Sequence, residues 1–213
     1  MKTDDLIDAL ARNVEPAEKP RWAGKLAITI GAGLVVATLL VAIGLGVRPD
    51  IGAARMPVMM KAMFAAFAAA VTLPLVVQLM KPGRPLGWRL GAVLVFAAIC
   101  ALATTIALMG EMPERRWEAW MGGRGSIPWC VVLIPVLAAP AAALLTWFMR
   151  AFTPTRLTLT GAAIGAISGG IGAMAYAMYC PIDSVAFVTT WYAVGIAVCA
   201  TLGAIVGSKL LRW

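Results

Sequence analysis

Four cysteines, Cys100, Cys130, Cys180 and Cys199, are the residues of this 213-residue chain best suited to chemistry. A thiol can be oxidised, can pair with a second thiol, or can bind a soft metal ion. No CxxC pair occurs, so a zinc-ribbon site is not expected. The chain has no histidine, which removes the commonest metal ligand and the commonest general base. Acid–base work would fall to carboxylates. Beyond the first stretch of chain these are Asp50, Glu111, Glu114, Glu118 and Asp183. They stand beside arginines or in turns, and they read as solvated loop charges. No catalysis, no cofactor and no assigned metal site are expected.

The elements that must position the thiols are apolar. Hydrophobic residues make up 62% of the chain and charged ones 13%, against roughly 25% charged in soluble domains. A bilayer accommodates such a composition because the outside of a helix bundle can be apolar there too. Runs of about 20 apolar residues are needed to cross it. Six qualify: Leu26–Val47, Pro57–Met80, Gly87–Met109, Ile127–Phe148, Leu157–Tyr179 and Val185–Gly207. The expectation is an all-α polytopic membrane protein: a tail over residues 1–24, then a six-helix bundle over 25–213. The tail is acidic as well as basic and does not read as a cleaved signal peptide.

Lysine and arginine set the orientation. With the N-terminus inside, inner segments hold twelve of them and outer segments six, Arg48, Arg55, Lys61, Arg115, Arg116 and Arg124. Both termini are therefore expected in the cytoplasm, which explains the net charge of +8 without nucleic-acid binding. Trp22, Trp88, Trp147 and Trp213 would mark the inner interface, and Trp117, Trp120 and Trp129 the outer one. Lys61 and Arg89 fall near run ends and are expected to snorkel outward. No acidic or basic residue is expected deep in a span, which argues against an ion-coupled transporter. Thr29, Thr38, Thr72, Thr104, Thr105 and Ser168 can bond to carbonyls one turn back. Gly161, Gly165 and Gly169, and Gly195, Cys199, Gly203 and Gly207, form small-residue stripes suited to close packing. Pro74, Pro135 and Pro140 are expected to kink or loosen their helices.

In this topology Cys130 opens the fourth run and Cys180 follows the fifth, so both reach the outer face at similar depth. They could form a disulfide, bind a soft metal, or be unconnected buried thiols. Cys100 and Cys199 fall at mid-membrane and read as packing residues. The tail carries a second pattern. Leu6, Ile7, Leu10 and Val14 line one face of a short helix, with Asp4, Asp5 and Asp8 beside them. Pro16 ends it. An acidic face suits a protein groove with a basic rim better than a negative lipid surface.

The opening MKTDDLIDALARNVEP, the segment PWCVVLIPVLAAPAAALL, the block YCPIDSVAFVTTWYAVGIA and the closing LGAIVGSKLLRW resemble the NrsF family. These are negative regulators of the extracytoplasmic-function (ECF) sigma factor called sigma F. The resemblance implies a membrane-bound anti-sigma factor of the bacterial inner membrane, whose cytoplasmic N-terminal region holds the sigma factor as its protein partner. It also implies that Cys130 and Cys180 are the functional thiols; an oxidant or a thiol-binding metal is the expected signal acting on them. The other partner is membrane lipid. A small channel or transporter for a neutral or metal solute, lined by Thr and Cys, is the alternative.

Overall fold

The computed structural model describes residues 22–81, 87–123 and 128–212. The N-terminal pattern of Asp4, Asp5, Leu6, Ile7, Asp8, Leu10 and Val14 lies outside the described residues. Six long helices carry the chain: α1 Trp22–Leu45, α2 Arg55–Leu79, α3 Trp88–Gly110, α5 Cys130–Arg150, α6 Leu157–Tyr176 and α7 Val185–Leu210. A short α4, Arg116–Met121, sits between α3 and α5. All six long helices are long and apolar enough to cross a membrane. Their bounds match the six expected runs to within a few residues, because hydropathy and length alone decide them. No strand occurs among the described residues.

The exterior confirms where the apolar surface goes. Ile28, Ile43, Met63, Leu94, Ile106 and Trp147 are all more than 60% exposed. In water such a surface would drive aggregation. Inside a bilayer it needs no protein cover.

Helix α6 is the axis of the bundle. Two thirds of its span is buried, 67%, against 6% for α3. It packs against α7, α5, α2 and α1. Glycines make this possible. A Cβ added at Gly161 would run into the backbone of Gly203 and Gly207, and one at Gly165 into the backbone of Cys199. Gly170 offers the same closeness to Ala65 and Ala69 of α2, and Gly172 to Ile134 and Ala138 of α5. The expected stripes therefore do meet, α6 against α7, with Cys199 serving as a small residue within the seam. Lipid tails are as apolar as leucine, so burial alone does not drive helices together there. Close backbone contact supplies dispersion energy instead.

Helix α1 rests on α5 and α6 through a narrow stripe, Leu26, Gly33, Ala37 and Val41. Gly33 meets Ala141 so closely that its Cβ would stand 2.8 Å from that of Ala141. Pro74, Pro135 and Pro140 all lie inside helices. Two wide π-helical turns arise elsewhere, at Val41–Leu45 in α1 and Val188–Tyr192 in α7. The first ends at Gly46, whose φ of +84° a residue with a Cβ rarely adopts.

These contacts order the effects of substitution. Gly165→Ile should cost about 3 kcal/mol by overpacking. Gly31→Ala, with nothing within 4 Å of its added carbon, should be neutral or slightly stabilising. Thermal midpoints of the detergent-purified proteins check this; equal midpoints would remove the glycine seam from the account of packing.

Candidate functional site

The two thiols singled out by sequence share one buried place. Cys130 is the first residue of α5, and Cys180 lies in the segment that joins α6 to α7. Both are wholly buried and neither is bonded to another sulfur. They belong to one core cluster with Tyr176 and Tyr192, and both lie near those two phenols. The Tyr176 and Tyr192 rings lie 5.7 Å apart. The Cys180 thiol points to the carbonyl of Ile182, 3.8 Å away. The Tyr192 hydroxyl faces the Cys180 sulfur. Among the described residues no three Cys, Asp or Glu side chains converge on a metal position.

Above the thiols sits a cluster of four charges. Arg48 follows the end of α1, and its guanidinium makes a bidentate pair with Asp50 at 2.7 and 2.8 Å. It also donates to Asp183 at 3.0 and 3.3 Å and to the main-chain carbonyl of Cys180 at 3.2 Å. Lys61, in the second turn of α2, donates to the same carbonyl at 2.9 Å and pairs with Asp183 at 2.6 Å. The Arg48 amide bonds to the carbonyl of Met178 at 3.1 Å. Two cations and two carboxylates thus clamp the backbone of the segment carrying Cys180 to α1 and α2.

This corrects two expectations. Lys61 does not snorkel outward: its side chain is 2% exposed and turns inward to Asp183 and Cys180. Asp183 is not a loose loop charge either, since it is only a third exposed and pairs with the buried Arg48. The fitting signal was in the sequence. A lysine inside an apolar run is costly unless paired, so it predicts a carboxylate partner. The distance in sequence to Asp183 hid which one. Asp50 keeps more than half its surface in solvent, as a loop charge should.

The electrostatics follow the geometry. Hydrogen bonds from Arg48 hold Asp50 below the usual carboxylate range. Burial on its own would raise Asp183; the hydrogen bonds and charges of Arg48 and Lys61 outweigh it and leave Asp183 lowered. Arg48 is raised by hydrogen bonding to Asp50 and Asp183.

A second polar knot lies farther along α7. Thr104 of α3 bonds to the carbonyl of Cys100 as expected, but its hydroxyl also meets Thr189 at 2.8 Å and Thr190 at 3.2 Å. The Trp120 indole donates to Thr190, and the Trp191 indole to the carbonyl of Trp120. These bonds join α3 and α4 to the π-helical turn of α7. Beside them an apolar groove of about 710 Å³ is lined by Val93, Phe96, Cys100 and Ala197. The threonines and Cys100 therefore line a groove beside α3, at the side of the bundle and off the axis that α6 fills.

The clamp makes a testable statement about stability. A carboxylate with a lowered pKa contributes fully above its unfolded value, about 3.9, and loses that contribution as pH falls through the lowered value. The thermal midpoint in detergent should drop below about pH 4, and Asp183→Asn should remove part of that dependence. At neutral pH Asp183→Asn should cost about 3 kcal/mol, because it leaves two buried cations with one exposed carboxylate. Lys61→Met should cost less, since Arg48 can still satisfy Asp183. The reverse order would show that the charges do not act as a unit.

Comparison with known proteins places these residues in context. The family described as "Negative regulator of sigma F", NrsF, matches residues 10–213. The anti-sigma-F factor NrsF of Caulobacter vibrioides is 35% identical over 223 residues, spanning both chains in full. The probable anti-sigma-F factor NrsF of Azospira oryzae is 34% identical over 216 residues, again spanning both chains. No solved structure matches the chain. A match over nearly the whole length establishes that this chain belongs to the NrsF family of negative regulators of sigma F.

Proposed function

We propose that this chain is an inner-membrane anti-sigma factor that holds an ECF sigma factor at the cytoplasmic face and frees it when Cys130 and Cys180 react. The family membership makes it a regulator and not an enzyme. Six helices of sufficient length and apolarity support the membrane setting. The excess of Lys and Arg on the segments that share a side with Met1 supports a cytoplasmic N-terminus. Residues 1–24 are the sigma-binding tail, with Leu6, Ile7, Leu10 and Val14 as its apolar anchors and Asp4, Asp5 and Asp8 as its charged rim. The bundle over residues 25–213 carries the sensor.

The observation that supports this reading is the pair of unbonded, buried thiols in one core cluster, one of them on the segment clamped by Arg48 and Lys61. A two-electron oxidant would remove two electrons and two protons from them and leave a disulfide. A soft metal ion would instead displace the two thiol protons and bind both sulfurs. Burial keeps the thiols inert at rest, so the segment around Cys180 must open for either reaction. Packed helices switch between discrete arrangements more readily than they bend, so a change at this pocket can reach the other end.

Cells producing Cys130→Ser together with Cys180→Ser should keep a sigma-dependent reporter repressed under oxidants or soft metals that induce the wild type. Unchanged induction would rule out the thiols as sensors. Leu6→Asp or Leu10→Asp in the full chain should weaken co-purification of the sigma factor about tenfold or more, which corresponds to about 1.4 kcal/mol of binding. Undiminished binding would move the contact away from the tail, to inner connections such as Lys81–Arg89 or Arg150–Arg156.

A further inference from the structure

The segment carrying Cys180 is tied by direct bonds to the residue that follows the end of α1. Four bonds run from Arg48 to it or its neighbours: the amide to Met178, one guanidinium nitrogen to the Cys180 carbonyl, and the pair to Asp183. Arg48 stands three residues beyond α1. At its other end α1 begins at Trp22, where the N-terminal segment joins it covalently. Between these ends α1 is lightly seated. Only 22% of its span is buried, and Ile28, Val35 and Ile43 face outward. Its closest approach to the bundle is Gly33 against Ala141, near the middle. Between that contact and Arg48 lies the π-helical turn Val41–Leu45. Such turns depart from the regular ladder and recur at functional sites. A rod that touches the bundle along one stripe, from Leu26 to Val41, and is tethered at one end carries a movement of the tether along its length.

We infer that α1 is the element through which the thiol pocket acts on the N-terminal segment, with Arg48 as the coupling residue. The inference rests on the thiol-sensing reading above and adds the route. Forming a Cys130–Cys180 disulfide brings two nonbonded sulfurs to about 2.05 Å. The thiols give up two hydrogens to the oxidant as the bond forms. Cys180 cannot follow its sulfur without carrying its carbonyl, which accepts from both Arg48 and Lys61. Hydrogen bonds of this kind hold only over a few tenths of an ångström about 2.9 Å. The clamp therefore drags Arg48 or releases it, and in both cases the outer end of α1 changes position.

The test uses the full-length protein in lipid nanodiscs with diamide as the oxidant, which takes up the two hydrogens to become a hydrazine. Disulfide formation is followed by the loss of two free thiols in the intact mass. Hydrogen–deuterium exchange is read at the start of α1, over residues 22–30. Oxidation of the wild type should change exchange there by about fivefold, with little change at the ends of α5 and α7 joined by Arg150 and Leu210. In Arg48→Gln the disulfide should still form while exchange at α1 stays constant, and Arg48→Lys should restore part of the response. If the wild type oxidises with no change at α1, the inference is overturned without any appeal to a variant. It is also overturned if Arg48→Gln transmits as well as the wild type. In either case the sensing reading stands so long as Cys130→Ser with Cys180→Ser abolishes induction. If that double variant still induces normally, the sensing reading falls and this route falls with it.

Discussion

A lysine and an arginine with almost no exposed surface must have their charges answered locally, and the rest of this structure is arranged around that requirement. Lys61 and Arg48 share Asp183, Arg48 also holds Asp50, and both donate to the carbonyl of Cys180. Removing a charge from water costs several kcal/mol unless a partner and further hydrogen bonds repay it. The partners here come from three separate stretches of chain. The loop after α1, the second turn of α2 and the segment between α6 and α7 can only meet if those elements are already packed. The cluster therefore makes the end of the bundle cooperative, and it fixes the backbone that carries one of the two thiols.

Packing supplies the platform on which that cluster forms. Helix α6 can sit at the centre because glycines face α7, α2 and α5 on different sides of it. Its last turn delivers Tyr176 to the thiol pocket, and the π-helical turn of α7 delivers Tyr192 to the same place. That widened turn also carries Thr189 and Thr190, which reach across to Thr104. One irregular stretch of backbone therefore faces the thiols on one side and α3 on the other.

The six spans were legible from hydropathy because membrane helices are set by length and apolarity, both local properties. The α6–α7 seam was legible for a similar reason: a four-residue spacing of small residues places them on one face wherever the helix lies. Cys130 and Cys180 were drawn together by alternating topology alone. The role of Lys61 was not legible. Its position near a run end allows either outward snorkelling or inward pairing, and the choice depends on a carboxylate more than a hundred residues away. The wide turns were equally hidden, since Val41–Leu45 and Val188–Tyr192 contain no proline and read as ordinary helix. Thr104 was half visible: its bond to Cys100 is local, and its contacts with α7 are not.

The balance of the clamp has an outcome of its own. Two positive and two negative groups cancel within a few ångströms, so the cluster projects little field into its surroundings. Mobile ions screen over roughly 8 Å at physiological ionic strength, and they find scant net charge here to act upon. Fluctuating salinity should therefore leave this end of the molecule undisturbed.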